Sequence, residues 1–352
     1  MPVIWLIDAY RAGERGQVRA LADALVTALG ATVETKVLQY RQHVVMPHVL
    51  GQATLRGITE QSAGQLIGSW PDLVITSGVR NEPVCRWIRA QSAGKTRYVH
   101  VGRPWGPLKE FDLVVTTPQY RVPDHPNVLN NTLTLHGVDA GRIAAAHEAS
   151  RDQFAGLPSP RIAVLVGGDS GPFTLGPRAA ARLGHEASQI AKAHGGSLMV
   201  TTSSRTRDSA VDALCQAITA PHYFHRWKPN DDANPYLALL GSADRLIVTA
   251  DSIAMLSEAC ATGKSVMMFD LGGMRSPESD EPRDLRVGGL FYALLMRFFP
   301  QRLSRDITLV HKQLRDSGAA VWTDEVIGTA RVPAQTDMER AVARIAALLE
   351  QD

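Results

Sequence analysis

Short apolar runs alternate along this chain with segments whose apolar residues recur every three or four positions. Residues 3–8 form a run of the first kind and are predicted to be a buried strand. Over 17–29, Val18, Leu21, Ala22, Leu25 and Leu29 fall at helical spacing, with Gly30 placed as a C-terminal cap. Strands are predicted at 32–38, 72–77, 97–101 and 112–116, and a helix at 83–90. Such alternation implies a parallel sheet covered by helices.

Between 137 and 160 the pattern changes to a polar, alanine-rich helix (140–154) and the turn GLPSP. It then restarts. Strands are predicted at 161–166, 197–202, 223–227, 245–249 and 266–269. Helices are predicted from Pro177 to the Gly195-Gly196 pair, over 210–218, and over 252–262 ahead of Gly263. A last helix, 338–350, carries Val342, Ile345, Ala346 and Leu349 on one face. The expected organisation is α/β: two Rossmann-like domains facing across a cleft. They comprise an N-terminal domain at 1–137, a linker helix and turn at 138–160, a C-terminal domain at 161–335, and a helix within 336–352 that packs on either domain.

Composition narrows the classes. At 352 residues the chain is long enough for two domains, and 45% hydrophobic residues can fill two cores. Lys plus Arg is 37 against 35 Asp plus Glu, a net +2 that argues against nucleic-acid binding through bulk charge. Cys85, Cys215 and Cys260 are far apart and form no CxxC, so neither a disulfide framework nor a zinc signature is expected. The start MPVIWLIDAY reads as a strand and not as a signal peptide. The most membrane-like stretch, 288–300, is interrupted by Arg297 and falls short of the ~20 residues that span a bilayer. Its segment 290–299 is expected to be a buried amphipathic helix, with peripheral membrane contact as the alternative. A cytoplasmic location is expected.

Four stretches can carry chemistry. "VLVGGDSGPF" runs from a strand into Gly167, Gly168, Asp169, Ser170 and Gly171. It matches neither GxGxxG nor a P-loop, but the carboxyl end of a strand is where open α/β sheets bind ligands. Its amide N–H groups, with the Ser170 and Thr174 hydroxyls, suit phosphate oxygens; an ordinary strand-to-helix turn is the competing explanation. "TTSSRTRDS" ends the next strand with Thr201, Ser203, Arg205 and Arg207, whose hydroxyls and guanidiniums suit phosphate or sugar. "ADRLIVTADSIAMLSEACATGKSVMMFD" leaves a strand at Asp251 and Ser252, either of which caps the following helix. Glu258 shares a helix face with Asp251 and Ala254, and small neighbours leave room there for a ribose diol. "DAYRAGERGQ" is expected to be a loop presenting Arg11, Gly13, Arg15, Gly16 and Gln17 on the acceptor side.

In order, these pieces resemble a GT-B glycosyltransferase. "GGDSGPF" and "TADSIAMLSEACATGKSV" resemble the donor-domain loops of the enzyme that completes lipid II. More specifically, "AGERGQVRALADAL", "TSSRT" and "NPYLALLGSADRLIVTADSIAMLSEACATGKSV" resemble the mitochondrial-fission Elm-type family, whose bacterial members are often labelled predicted nucleoside-diphosphate-sugar epimerases. The resemblance implies Glu258 as the ribose carboxylate. It implies Gly167, Gly168, Ser170, Gly171 and Ser252 near the diphosphate, with Thr201, Ser203 and Arg205 beside them. Asp251-Ser252 stands where the lipid II enzyme has Ser-Gly, a departure at the diphosphate contacts.

The expected function is metal-independent glycosyl transfer from a nucleotide sugar, UDP-linked, to a lipid or glycan acceptor, without a cofactor. Asp8, Glu14 and His100 are the candidates for the base. A nucleoside-diphosphate-sugar epimerase and a non-catalytic scaffold protein are the alternatives. The donor assignment requires that the Gly167–Gly171 amides not be occupied by the protein's own atoms.

Overall fold

The computed structural model describes residues 1–41, 51–231, 233–275, 283–301, 304–326 and 336–350. The chain divides into two compact units, one formed by 1–137 with 333–352 and the other by 138–332. The domain boundary expected at 335 lies outside the described residues.

The first unit holds β1 (Val3–Ile7), β2 (Thr32–Lys36), β3 (Leu73–Ser77), β4 (Arg97–Val101), β5 (Leu113–Thr116) and β6 (Val128–Asn130). They form one parallel sheet in the order β2-β1-β3-β4-β5-β6. Ile4 and Leu6 pack on one face with Val18, Leu21 and Leu25 of the helix Ala12–Leu29, while Trp5 and Ile7 pack on the other with Leu66, Val84 and Ile88. A sheet buried on both faces explains why its strands read as unbroken apolar runs. The last helix, Asp337–Leu349, belongs to this unit and buries Ala341 and Ile345 in the first of these clusters. Its N-terminus is held by a capping box between Thr336 and Glu339.

The second unit holds β7 (Arg161–Leu165), β8 (Ser197–Thr201), β9 (His222–His225), β10 (Arg245–Thr249), β11 (Ser265–Phe269) and β12 (Val321–Trp322). Their parallel order is β12-β11-β10-β7-β8-β9. Residues 138–160, expected as a linker, lie within this unit. There the helix Ala140–Ala149 packs on Tyr236–Ser242, with His147 Nδ1 2.8 Å from Ser242 Oγ.

Each sheet has one place where successive connections leave in opposite directions, between β1 and β3 in the first unit and between β7 and β10 in the second. A crevice opens at such a point beyond the strand ends.

Two expectations are corrected. The helix predicted from 17 begins at Ala12, so Gly13, Glu14, Arg15, Gly16 and Gln17 form its first turns and not a loop. The helix Val287–Phe298, expected to be buried, buries only Gly289 and exposes most of its apolar side chains. Among the described residues, no helix is long and apolar enough to cross a membrane.

Candidate functional site

The crevice of the second unit is built from the loops that follow β7, β8 and β10. The Gly167 N–H donates to Thr249 Oγ1 at 2.7 Å, and the Gly168 N–H to Asp251 Oδ2 at 2.9 Å. Here the structure corrects the sequence reading: these two amides are taken by the protein. The glycines serve internal contact. A Cβ on Gly167 would lie 2.4 Å from Asp251 Oδ2, and one on Gly168 would lie 2.3 Å from the Arg205 carbonyl oxygen. Asp251 therefore turns away from the helix it was expected to cap, and Ser252, at the N-cap of Ile253–Ala261, makes no side-chain cap bond.

Asp251 is fully buried and receives Arg205 Nη2 at 2.9 Å. Burial pushes its carboxyl above the ordinary range, opposed by the Arg205 charge and the Gly168 N–H. A second carboxylate, Asp284, accepts from the Ala179 N–H at 2.8 Å at the start of the helix Pro177–Ala193. Internal acids thus occupy two positions that would suit an anion.

Further out the loop is ringed by arginines. Asp169 pairs with Arg207 at 2.5 Å and Arg286 at 3.4 Å, and its Oδ1 accepts from the Leu175 N–H at 3.0 Å. Arg205 Nη1 donates to the Asp169 carbonyl at 3.0 Å, Arg286 Nη2 to the Gly171 carbonyl at 3.1 Å, and Arg305 Nη2 to Ser170 Oγ at 2.6 Å. Four guanidiniums thus surround the loop beside three carboxylates, Asp169, Asp251 and Asp284: Arg205 pairs with Asp251, Arg207 and Arg286 pair with Asp169, and Arg305 bonds Ser170. The arginines keep solvent access: Arg205 is 40% and Arg207 49% exposed in its side chain. The amides of Asp169 and Gly171 donate to no acceptor among the described residues.

Ser203 joins the cluster by donating to the Gly167 carbonyl at 2.9 Å. Thr201 is buried at the end of β8. Glu258 stands apart. It accepts from the Tyr236 hydroxyl, and burial raises its pKa against that hydrogen bond. No hydrogen bond or ion pair among the described residues joins it to the glycine loop. Arg286 and Arg305 escaped the sequence reading because each lies outside the motif it completes; Tyr236 stands within the quoted stretch that holds Glu258, but its contact with Glu258 spans 22 positions and a strand.

In the first unit, Asp8 follows β1 and pairs with Arg15 Nε at 3.2 Å and Arg19 Nη2 at 2.8 Å, so its carboxylate is already engaged by two cations. Glu14 pairs with Arg11 at 3.5 Å. His100 sits inside the core against Tyr98 and Phe111, and burial pushes its pKa down to about 3. A closed site and a weakly basic ring oppose its expected role as a base. Gly13 and Gly16 have open space where a Cβ would stand, so no packing contact requires them.

Comparison with known proteins follows the same outline. The family model described as Mitochondrial fission ELM1 matches residues 12–349. The chain is 25% identical over 261 residues to the Mitochondrial fission protein ELM1 of Arabidopsis thaliana, a match that spans 68% of this chain and 61% of the plant protein. It is 24% identical over 299 residues to the Uncharacterized protein RP120 of Rickettsia prowazekii (strain Madrid E), covering 76% of this chain and 82% of that one. In fold it is similar to the UDP-GlcNAc 2-epimerase from Methanocaldococcus jannaschii, with a TM-score of 0.51 over the whole of both chains at 10% identity.

Proposed function

The chain belongs to the mitochondrial fission ELM1 family, and from that premise we propose that its second unit binds a nucleoside diphosphate sugar and transfers the sugar to an acceptor hydroxyl. The observation that carries this reading is the excess of guanidinium over carboxylate around a glycine loop at the crevice between β7 and β10. The Gly167, Gly168 and Ser170 amides are taken by Thr249, Asp251 and the Phe173 carbonyl, so the requirement set from the sequence fails there and the diphosphate is placed further out, on Arg205, Arg207, Arg286 and Arg305 and the amides of Asp169 and Gly171. Arginine suits this task because its planar fork matches phosphate oxygens and its charge is permanent. The same charges favour departure of a nucleoside diphosphate, on which negative charge grows as the glycosidic bond breaks. Glu258 is assigned to the ribose hydroxyls, sharing its carboxylate with Tyr236. The reading accords with the fold likeness to a UDP-GlcNAc epimerase, and epimerisation of the donor is separated from transfer by following free UDP-sugar by NMR.

A second reading, a scaffold protein that keeps the fold without the chemistry, is favoured by Asp251 and Asp284 standing where an anion would. Titration calorimetry with UDP-, GDP- and ADP-sugars decides between them. Binding of one nucleotide sugar, weakened about tenfold or more by Arg305→Ala, supports the first. Absence of binding to all three supports the second.

A further inference from the structure

Seven of the thirteen large hydrophobic side chains exposed among the described residues lie between Leu285 and Phe299. Five belong to the helix Val287–Phe298: Val287, Leu290, Phe291, Leu294 and Phe298, each more than half exposed. At 100° per residue they fall within one arc of about 100°. The opposite side is seated. Gly289 lies close against the Pro172 carbonyl, 3.0 Å from where a Cβ would stand, Tyr292 lies against Gly171, and the Tyr292 hydroxyl accepts from the Arg305 N–H at 2.7 Å. The helix is therefore held by its back, with its apolar face outward.

We propose that this helix docks the protein on an anionic lipid surface, lying in the headgroup layer with the five apolar side chains inserted and Arg297 against lipid phosphates. The helix contains no acidic residue, and its only charge is Arg297, exposed at the edge of the apolar arc with its guanidinium 5.8 Å from the Phe298 ring centroid. Among the described residues, the acids flanking the helix in sequence are engaged elsewhere: Asp284 accepts from the Ala179 N–H at the start of the helix Pro177–Ala193, and Asp306 holds Thr308. Pairing with a second copy of the helix would bury the apolar face but offer Arg297 no carboxylate from that helix; an anionic bilayer supplies both an apolar phase and the opposite charge. Twelve residues make about 18 Å of helix, too short for a hydrocarbon core of about 30 Å, so the helix lies flat.

The test is co-sedimentation of the whole protein with vesicles of phosphatidylcholine, alone or mixed with phosphatidylglycerol. Wild type is expected to bind the mixed vesicles and to lose about tenfold in affinity in high salt or on phosphatidylcholine alone. The double substitution Phe291→Asp with Phe298→Asp is expected to remove binding, with its fold checked by circular dichroism. Arg297→Glu, at an exposed position that leaves the apolar face intact, is expected to remove the preference for phosphatidylglycerol. Wild type left in the supernatant with both vesicle types overturns the proposal. So does Arg297→Glu binding with unchanged lipid preference, or a wild-type dimer by light scattering that the double substitution dissolves.

Discussion

In the first unit the space beyond β1 and β3 is closed by Asn81; in the second the space beyond β7 and β10 is closed by Asp251. The fully buried Asn81 Nδ2 reaches the Asp8 carbonyl at 3.2 Å, Thr76 Oγ1 at 2.7 Å and the Ser77 carbonyl at 3.1 Å. A neutral amide costs less to bury than a charge, and Asn81 is buried there with its Nδ2 satisfied and its Oδ1 without a partner among the described residues. A buried carboxylate needs more, because its ionised form loses hydration, and Asp251 has Arg205 and the Gly168 N–H to offset that loss. The contrast extends to the glycines. Gly13 and Gly16 after β1 face open space, whereas Gly167 and Gly168 after β7 are pressed against Asp251 and Arg205. Two glycine-bearing segments after a strand, alike in sequence, therefore carry different physical content.

The sharpest break in that contrast is Gly168→Ala, whose Cβ meets a backbone oxygen that cannot rotate away. It is expected to cost about 2–3 kcal/mol in urea unfolding. A pH-dependent effect separates the buried titratable groups of the two units. His100 takes its proton near pH 6.5 when unfolded and only near 3 when folded. Stability is then lost as the pH falls through that window, by about 1.4 kcal/mol per unit, and His100→Gln is expected to flatten the loss. Asp251 has the opposite sign. Its folded pKa is raised above the ordinary 3.8, so its contribution to stability falls as the pH rises from 3.8 through the folded value. Asp251→Asn is expected to remove that decline in the same unfolding series. The smallest effect reverses direction: Gly13→Ala and Gly16→Ala, each in the helix Ala12–Leu29 with room for a Cβ, are expected to raise stability by about 0.5–1 kcal/mol. A loss there would show that the first-unit glycines serve a contact of their own.

Much of the architecture was legible in the apolar pattern. Strands such as Arg97–Val101 and Arg245–Thr249 fall at their predicted bounds because burial on both faces leaves a short unbroken run that little else imitates. β6 and β12 escaped notice at three and two residues, too short for a periodic signal. The helix start at Ala12 was missed because glycine has low helix propensity and two occur in the first turns; tertiary packing of Val18, Leu21 and Leu25 outweighed it. Of the site, the strand-end loops carrying Gly167, Arg205 and Asp251 were legible as separate stretches. Their mutual closure was not, since the Gly168–Asp251 bond spans 83 positions and Arg305–Ser170 spans 135.

By itself the sequence determined the alternation of strands and helices, hence two parallel sheets and the placing of polar loops at strand ends, because side-chain periodicity is a local property of the backbone. Only the tertiary structure decided that Asp251 takes the amide a phosphate was expected to take, that Arg286 and Arg305 join the loop, and that the helix Val287–Phe298 turns its apolar face outward. Those outcomes depend on which strand lies beside which and on the seat each side chain finds there, and neither is encoded in the spacing of residues along the chain.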